Sequence, residues 1–245
     1  MNITATLEKL KTMKLHGFEN AYRTIYESGG NSNFTIDELM GHLIDAEYNE
    51  RYNKKFARLL KYAGFKQQAS LDQIDYASQR TLDKNQLLRL QTCDWIKKSR
   101  DILITGPTGV GKSFIGCALG FQGCLNGFKV LYSPSGKLLE KLFFAKADGS
   151  YHNELDKIAK MDLLILDDFA LKPIESKVRT ILFDIIDDRH AKKSTIITSQ
   201  IPVKDWHECI GDLTLADAIM DRLVNGSYRL ELKGESMRKY IKNDD

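Results

Sequence analysis

Gly106-Pro107-Thr108-Gly109-Val110-Gly111-Lys112-Ser113 is the stretch on which the fold of this chain turns. It has the form glycine, four residues, then Gly-Lys-Ser, and it stands between the apolar run Asp101-Ile102-Leu103-Ile104-Thr105 and a helix-forming segment that starts near Lys112. Glycines allow a turn tight enough to aim backbone N–H groups at phosphate oxygens, and the helix that follows adds the positive end of its dipole. Lys112 then supplies a compact charge to β- and γ-phosphates, and the Ser113 hydroxyl a ligand for Mg²⁺. The competing reading is a glycine-rich turn that matches by chance; the strand before it and the helix after it weigh against that.

Moving outward, Leu163-Leu164-Ile165-Leu166-Asp167-Asp168 is an apolar strand that ends in two carboxylates. Asp167 is the natural second ligand of the magnesium ion, and Asp168 is placed to polarise an attacking water; a pair of helix-capping aspartates is the bland alternative. About 55 residues separate this run from the phosphate loop. That leaves room for a further strand, Lys129-Val130-Leu131-Tyr132-Ser133, and argues against the simplest kinases, whose acidic strand is adjacent. Ser194 to Gln200 (STIITSQ) reads as another strand that ends at the same sheet edge, where Ser199 or Gln200 could meet the γ-phosphate or the water, or simply form a turn into Ile201-Pro202. From Leu82 onward, helical segments alternate with runs apolar on both faces. This is a βαβ series, an α/β fold with a parallel sheet flanked by helices and its ligand site at the carboxyl ends of the strands.

The residues before Leu82 follow a different period. Apolar positions from Leu7 to Ile25 recur at three- and four-residue steps, so one helix is expected over about 3–28, stopped by Gly29-Gly30. Thr35 with Glu38 forms a capping-box signal for a long helix to about Ala63. Its acids (Asp37, Glu38, Asp45, Glu47, Glu50) precede its bases (Arg51, Lys54, Lys55, Arg58, Lys61, Lys66). Two readings of this polarity stand side by side: a solvated helix whose ends complement its macrodipole, and a phosphate-binding face. Residues 67–82 lose the period and read as a linker. The expected division is a small all-helical domain over 1–68 and a nucleotide-binding domain over 69–245.

Bulk properties set the outer limits. The chain has 245 residues, 42% hydrophobic and 28% charged, enough for one substantial core and a satellite domain. A net charge of +3 does not by itself demand a polyanion partner. Cys93, Cys117, Cys124 and Cys209 form no CxxC pair, which fits a reducing compartment. No segment approaches the roughly 18 apolar residues of a membrane span, so a cytoplasmic protein without a membrane partner is expected. The absence of an [NT]KxD motif argues against a GTPase.

Taken together, GPTGVGKS, LLILDDFA, STIITSQIPVKDWHE and DRLVNGSYRLELKGESMRK, preceded by LDKNQLLRLQTCDWIKKSRDILITG and KKFARLLKYAGF, closely resemble the IstB-like helper ATPases of bacterial insertion sequences. These belong to the AAA+ branch that also holds DnaC-type helicase loaders. The resemblance spans essentially the whole chain. It implies an ATPase that uses ATP and Mg²⁺, assembles as an ATP-dependent homo-oligomer on double-stranded DNA, remodels it, and recruits or stimulates the transposase of the same insertion sequence. The loader reading, with single-stranded DNA and a replicative helicase, stays open, as does a nucleotide-dependent binding module with negligible turnover. By matching motif, Gly106, Gly111, Lys112 and Ser113 become Walker A, with Pro107, Thr108, Gly109 and Val110 between them. Asp167 and Asp168 become Walker B, and Gln200 or Ser199 sensor 1. Arg222 resembles an arginine finger offered to a neighbouring subunit, with Arg179 and Arg189 next in line, and Arg238 resembles sensor 2. Many AAA+ ATPases carry glutamate where Asp168 stands, which fits slow hydrolysis and a switch-like role. Little chain follows Arg238, so a full helical lid is not expected.

Overall fold

The computed structural model describes residues 3–29, 34–76 and 81–237. The backbone gathers into two compact units, Met1–Arg58 and Leu59–Asp245.

In the first unit, α1 (Ile3–Thr12) and α2 (His16–Glu27) precede α3 (Ile36–Ala63), which runs on past Arg58. One continuous helix over 3–28 is therefore not what forms. The chain breaks at Lys14, which takes a left-handed conformation (φ 58°), and restarts at His16. The restart is directed from a distance: Oε2 of Glu47 accepts from the N–H groups of Gly17 (2.8 Å) and Phe18 (3.2 Å), two orphan donors of the α2 N-terminus. Gly17 has to be glycine, since a Cβ there would lie 2.4 Å from the carbonyl oxygen of Ala46. Glu47, read from sequence as one of the acids of a solvated face, is 9% exposed. The Thr35–Glu38 capping box forms as expected: the Glu38 carboxylate accepts from Thr35 N–H at 2.8 Å, and Glu38 N–H donates to Thr35 Oγ1 at 3.3 Å. Along α3, Ile36, Met40, Ile44, Tyr48 and Tyr52 recur at four-residue steps and are all exposed.

The second unit holds α4 (Lys84–Gln91), α5 (Asp94–Lys97), β1 (Ile102–Thr105), α6 (Lys112–Leu125), β2 (Val130–Pro134), α7 (Ser135–Ala147) and α8 (Tyr151–Ala159). These are followed by β3 (Leu163–Phe169), α9 (Ser176–Arg189), β4 (Ser194–Ser199), α10 (Trp206–Ile210), α11 (Leu213–Val224) and β5 (Tyr228–Glu231). The sequence pattern reads as one helix near 84–98 and one between β2 and β3, and each is divided: the first at Cys93 (φ 58°), the second at Gly149 (φ 80°). The strands form one sheet in the order β2-β3-β4-β1-β5, every neighbouring pair parallel. Every residue of β1 and β4 is buried, the signature of central parallel strands covered on both faces. The tail of the sequence reads as a strand over Tyr228–Leu232 and a short helix from Glu235; the strand forms as β5, and the helix lies mostly outside the described residues.

Strand β4 lies between β1 and β3, in register Ile104↔Thr198 and Leu166↔Ile197. The acidic strand is thus one place removed from the strand that feeds the phosphate loop, but the strand between them is β4, while the inserted Lys129–Ser133 run forms the edge strand β2 beyond β3. The β3–β4 register shifts between Leu166 and Phe169, and Asp167 and Asp168 occupy that bulge. Bulges re-aim side chains at strand ends. Among the described residues, no helix is long and apolar enough to cross a membrane.

Candidate functional site

The loop between β1 and α6 turns through two glycines in left-handed conformations, Gly109 (φ 85°) and Gly111 (φ 96°), which end with the N-terminus of α6 facing outward. A Cβ on Gly109 would lie 2.0 Å from Ser236 Oγ, so the loop also needs glycine for its packing. Val110 is fully buried beneath the loop. Lys112 is 6% exposed, and its Nζ donates to the carbonyl of Pro107 at 2.7 Å, so the ammonium lies within the curl of the loop. Thr108, at the rim, donates to Oε1 of Gln200 at 2.6 Å.

Facing the loop is Asp167, 0% exposed and surrounded by hydroxyls. Its Oδ1 accepts from Ser113 Oγ (2.7 Å) and from Thr198 Oγ1, and its Oδ2 accepts from Tyr132 OH (2.5 Å). Burial pushes this carboxyl up; the hydroxyls of Thr198, Tyr132 and Ser113, with the Lys66 ammonium, outweigh it and hold the group below its ordinary value. Burial, reinforced by the bond to Asp167, pushes the Tyr132 phenol up, so it stays a proton donor. Asp168 has φ 54°, its N–H donates to Thr198 Oγ1 at 3.1 Å, and the residue lines the cleft. Lys66 lies over both acids, 3.7 Å from Asp167 Oδ2 and 3.8 Å from Asp168 Oδ2.

These groups open onto one cleft of about 490 Å³ whose wall includes Thr108, Gly109, Gly111, Lys112, Ser113, Asp168 and Gln200. Ile74, Phe114 and Leu171 give it an apolar side, and Gln67, Gln73 and Lys66 a polar one. A larger hollow, about 670 Å³, flanks the other side of the loop and touches Gly106, Pro107 and Gln200, but Lys112, Ser113 and Asp168 belong to the smaller one, with Asp167 buried behind its wall. Of the two expected sensor residues, Gln200 lines the cleft. Ser199 is 0% exposed; its hydroxyl donates to the carbonyl of Phe169 (2.7 Å) and accepts from Ile201 N–H (3.0 Å), which closes the β3–β4 edge.

Residues 8–244 match the family described as IstB-like ATP binding protein. The chain belongs to this family. It is 41% identical to the insertion sequence ATP-binding protein y4pL of Sinorhizobium fredii over 96% of each chain. With the insertion sequence IS21 ATP-binding protein of Pseudomonas aeruginosa it shares 29% identity over 94% of this chain and 86% of that one. In fold, this IstB-like protein is similar to the DnaC helicase loader (TM-score 0.57, 20% identity, 67% of this chain and 97% of that one). It is also similar to the replication initiator DnaA bound to AMPPCP and single-stranded DNA (TM-score 0.57, 19% identity, 73% and 55%). The architecture is the AAA+ P-loop fold, a five-stranded parallel sheet flanked by helices.

Other residues singled out from sequence lie elsewhere in this IstB-like chain. Arg222, on α11, donates from Nε to Asp187 at 2.8 Å and from Nη1 to the Ala218 carbonyl at 2.9 Å, with its guanidinium 5.0 Å from the Phe183 ring centre. Arg189 is 1% exposed and donates to Thr195 and to the carbonyls of Ile158, Met161 and Ser194, so it ties α9 to the sheet and faces no neighbour. Arg179 donates to the carbonyl of Ile174 at 3.0 Å. Arg51, Lys54, Lys55, Arg58 and Lys61 are all exposed on α3, and their spacing sets them on one helical face. Arg51 and Lys54 pair with Glu47 (2.6 Å) and Glu50 (2.9 Å) of the same helix. Arg238 lies outside the described residues.

Sequence reasoning missed Tyr132, Thr198, Lys66 and the Gln67–Ile74 side of the cleft. The first two could have been found once β2 and β4 were recognised as the flanking strands of β3, since Tyr132 and Thr198 then stand beside the paired acids. The third follows a helix end and carries no local signal.

Proposed function

We propose that this chain binds ATP with Mg²⁺ in the cleft at the carboxyl ends of β1, β3 and β4, and hydrolyses it. The observation that carries this is the 2.7 Å approach of Ser113 Oγ to Asp167 Oδ1, next to the buried ammonium of Lys112. These are hard oxygen ligands, and they are few. Among the described residues no cluster of three or more His, Cys, Asp or Glu could hold a metal alone, which matches an ion that takes its remaining ligands from phosphate and water. The metal, when bound, neutralises charge on the β- and γ-phosphates. Lys112 holds the same phosphates, Asp168 orients and polarises the water, and Gln200 positions the terminal phosphoryl from across the cleft.

Arg222 completes the site of a neighbouring copy. Supporting this are its half-buried place on α11 outside the chain's own cleft and an ion pair, to the exposed Asp187, of a kind that costs little to break. The homo-oligomer assembles on duplex DNA through the basic face of Arg51, Lys54, Lys55, Arg58 and Lys61. It recruits or stimulates the transposase of its insertion sequence, as its insertion sequence relatives' names and the exposed apolar row of α3 support. Arg238 is assigned the sensor 2 role on its motif alone. A helicase-loader reading has the fold likeness to DnaC in its favour. Electron microscopy of the full chain with duplex or single-stranded DNA, with ATP or a non-hydrolysable analogue, separates the two. Nucleotide-dependent assemblies on duplex are expected; assemblies confined to single strands would move the reading to the loader.

A further inference from the structure

The feature of the cleft that the phosphate-loop chemistry does not require is Lys66. It is placed by construction. Gly64 (φ 64°) turns the chain out of α3, and Phe65 then packs its ring on α6 at Gly120, where a Cβ would come within 2.6 Å of Phe65 Cε1. The backbone of Lys66 and Gln67 lies beside the buried thiol of Cys117, one turn earlier on α6. The seating of Phe65 on α6 places the backbone of Lys66, while its side chain stays half exposed. The ammonium reaches the paired acids at 3.7 and 3.8 Å and lines the same cleft as Lys112, Ser113 and Gln200.

An exposed lysine pairing with a surface acid usually contributes little. Here one partner is fully buried and both are the acids of the proposed metal and water sites. The ammonium therefore stands where positive charge is wanted before nucleotide and metal arrive. A divalent ion between Ser113 and Asp167 would repel it, and the anionic group within reach of a swinging lysine stem would then be the terminal phosphoryl of ATP, which ADP lacks. We propose that Lys66 is the residue that distinguishes ATP from ADP: it neutralises Asp167 and Asp168 in the nucleotide-free chain and passes to the γ-phosphate when Mg²⁺·ATP binds. This rests on the ATP reading of the cleft.

The test measures equilibrium binding of ATP and ADP, each with Mg²⁺, to the full-length wild type, Lys66→Met, Lys66→Arg and Lys112→Ala, together with Mn²⁺ binding to the nucleotide-free proteins by electron paramagnetic resonance. Lys66→Met should weaken ATP roughly tenfold, the scale of one hydrogen bond to a charged group, while ADP changes little. It should also bind Mn²⁺ more tightly than wild type when no nucleotide is present, because its competitor is gone. Lys66→Arg keeps the charge and should keep most of the ATP preference, which a purely structural role of the residue would not require. An unchanged ATP-to-ADP ratio and unchanged Mn²⁺ affinity in Lys66→Met, with Lys112→Ala losing both nucleotides, overturns the role of Lys66 and leaves the ATP reading standing. Wild-type affinity for both nucleotides in Lys112→Ala overturns the ATP reading itself.

Discussion

Glu47 in the first unit and Asp167 in the second are both carboxylates withdrawn from water, and they are satisfied in opposite ways. Glu47 accepts from the backbone N–H groups of Gly17 and Phe18 and from the Arg51 guanidinium. Backbone donors at a helix start cannot turn away, so this carboxylate is committed to holding α2 against α3. Asp167 accepts from three side-chain hydroxyls, of Ser113, Thr198 and Tyr132. A hydroxyl can rotate its proton elsewhere and offer a lone pair instead, so Asp167 and Ser113 can exchange their mutual bond for a shared cation. What separates a structural acid from a site acid here is the mobility of its donors, since burial and depressed pKa are common to both.

The largest effect should come from Lys112→Ala, which should leave the fold intact and remove the charge proposed to hold the phosphates. Nucleotide binding and nucleotide-dependent assembly should both be lost, measured by calorimetry and light scattering; retained ATP affinity would sink the site assignment. Next comes Arg222→Ala, expected to bind ATP normally but to lose roughly 10³ to 10⁵ in turnover. Mixing it with Lys112→Ala pairs an intact pocket with an intact arginine across shared interfaces, so some activity should return. A mixture as inactive as either variant, with mixed oligomers shown to form, moves the role to Arg179. Asp168→Asn should bind Mg²⁺·ATP yet turn over about 10² to 10⁴ times more slowly; a normal rate would place the water-polarising group elsewhere.

On the structural side of the comparison, Glu47→Gln should lower stability by about 1–2 kcal/mol, by weakening bonds made to a charged acceptor, and leave ATP affinity unchanged. Burial pushes the Glu47 carboxyl up, but Arg51, Phe18 and Gly17 outweigh it and hold the group below 4.5. Its contribution is therefore complete above the unfolded value near 4.5 and is lost as pH falls through the lower folded value. Denaturant melts of Glu47→Gln should show a shallower decline on the acid side; identical acid limbs would mean that the cap contributes nothing. The smallest effect is on DNA. For each of Arg51, Lys54, Lys55, Arg58 and Lys61 that contacts a phosphate, neutralisation should reduce the slope of log affinity against log salt by about 0.9 on duplex. Slopes that stay constant through all five substitutions would make the basic side of α3 a solvated face.

Much of the second unit was legible because its signals are local. A phosphate loop carries its glycines, lysine and serine in consecutive positions, and β3 carries its acids at its own end. Parallel, doubly covered strands also announce themselves as unbroken apolar runs. The breaks at Lys14 and Cys93 were not legible, since non-glycine residues there enter the left-handed region under tertiary constraint. Glu47 was misread because its partners lie 30 and 29 residues away in sequence. Lys66 looked like the last base of a charged helix, and only the seating of Phe65 against Gly120 carries it into the cleft.

The bulge at the end of β3 has an evolutionary side. Asp168 holds φ 54°, a region that aspartate and asparagine enter more readily than residues with longer side chains. A change to glutamate, a single chemical step away, would bring its extra methylene into a backbone shape that suits it poorly, and would carry the carboxylate further from a backbone that the Thr198 hydroxyl holds. Lengthening this acid and reshaping the bulge are thus one event for selection. A lineage that acquired the longer acid would be expected to show a different strand end, and grafting glutamate alone into this chain should not transplant a faster enzyme.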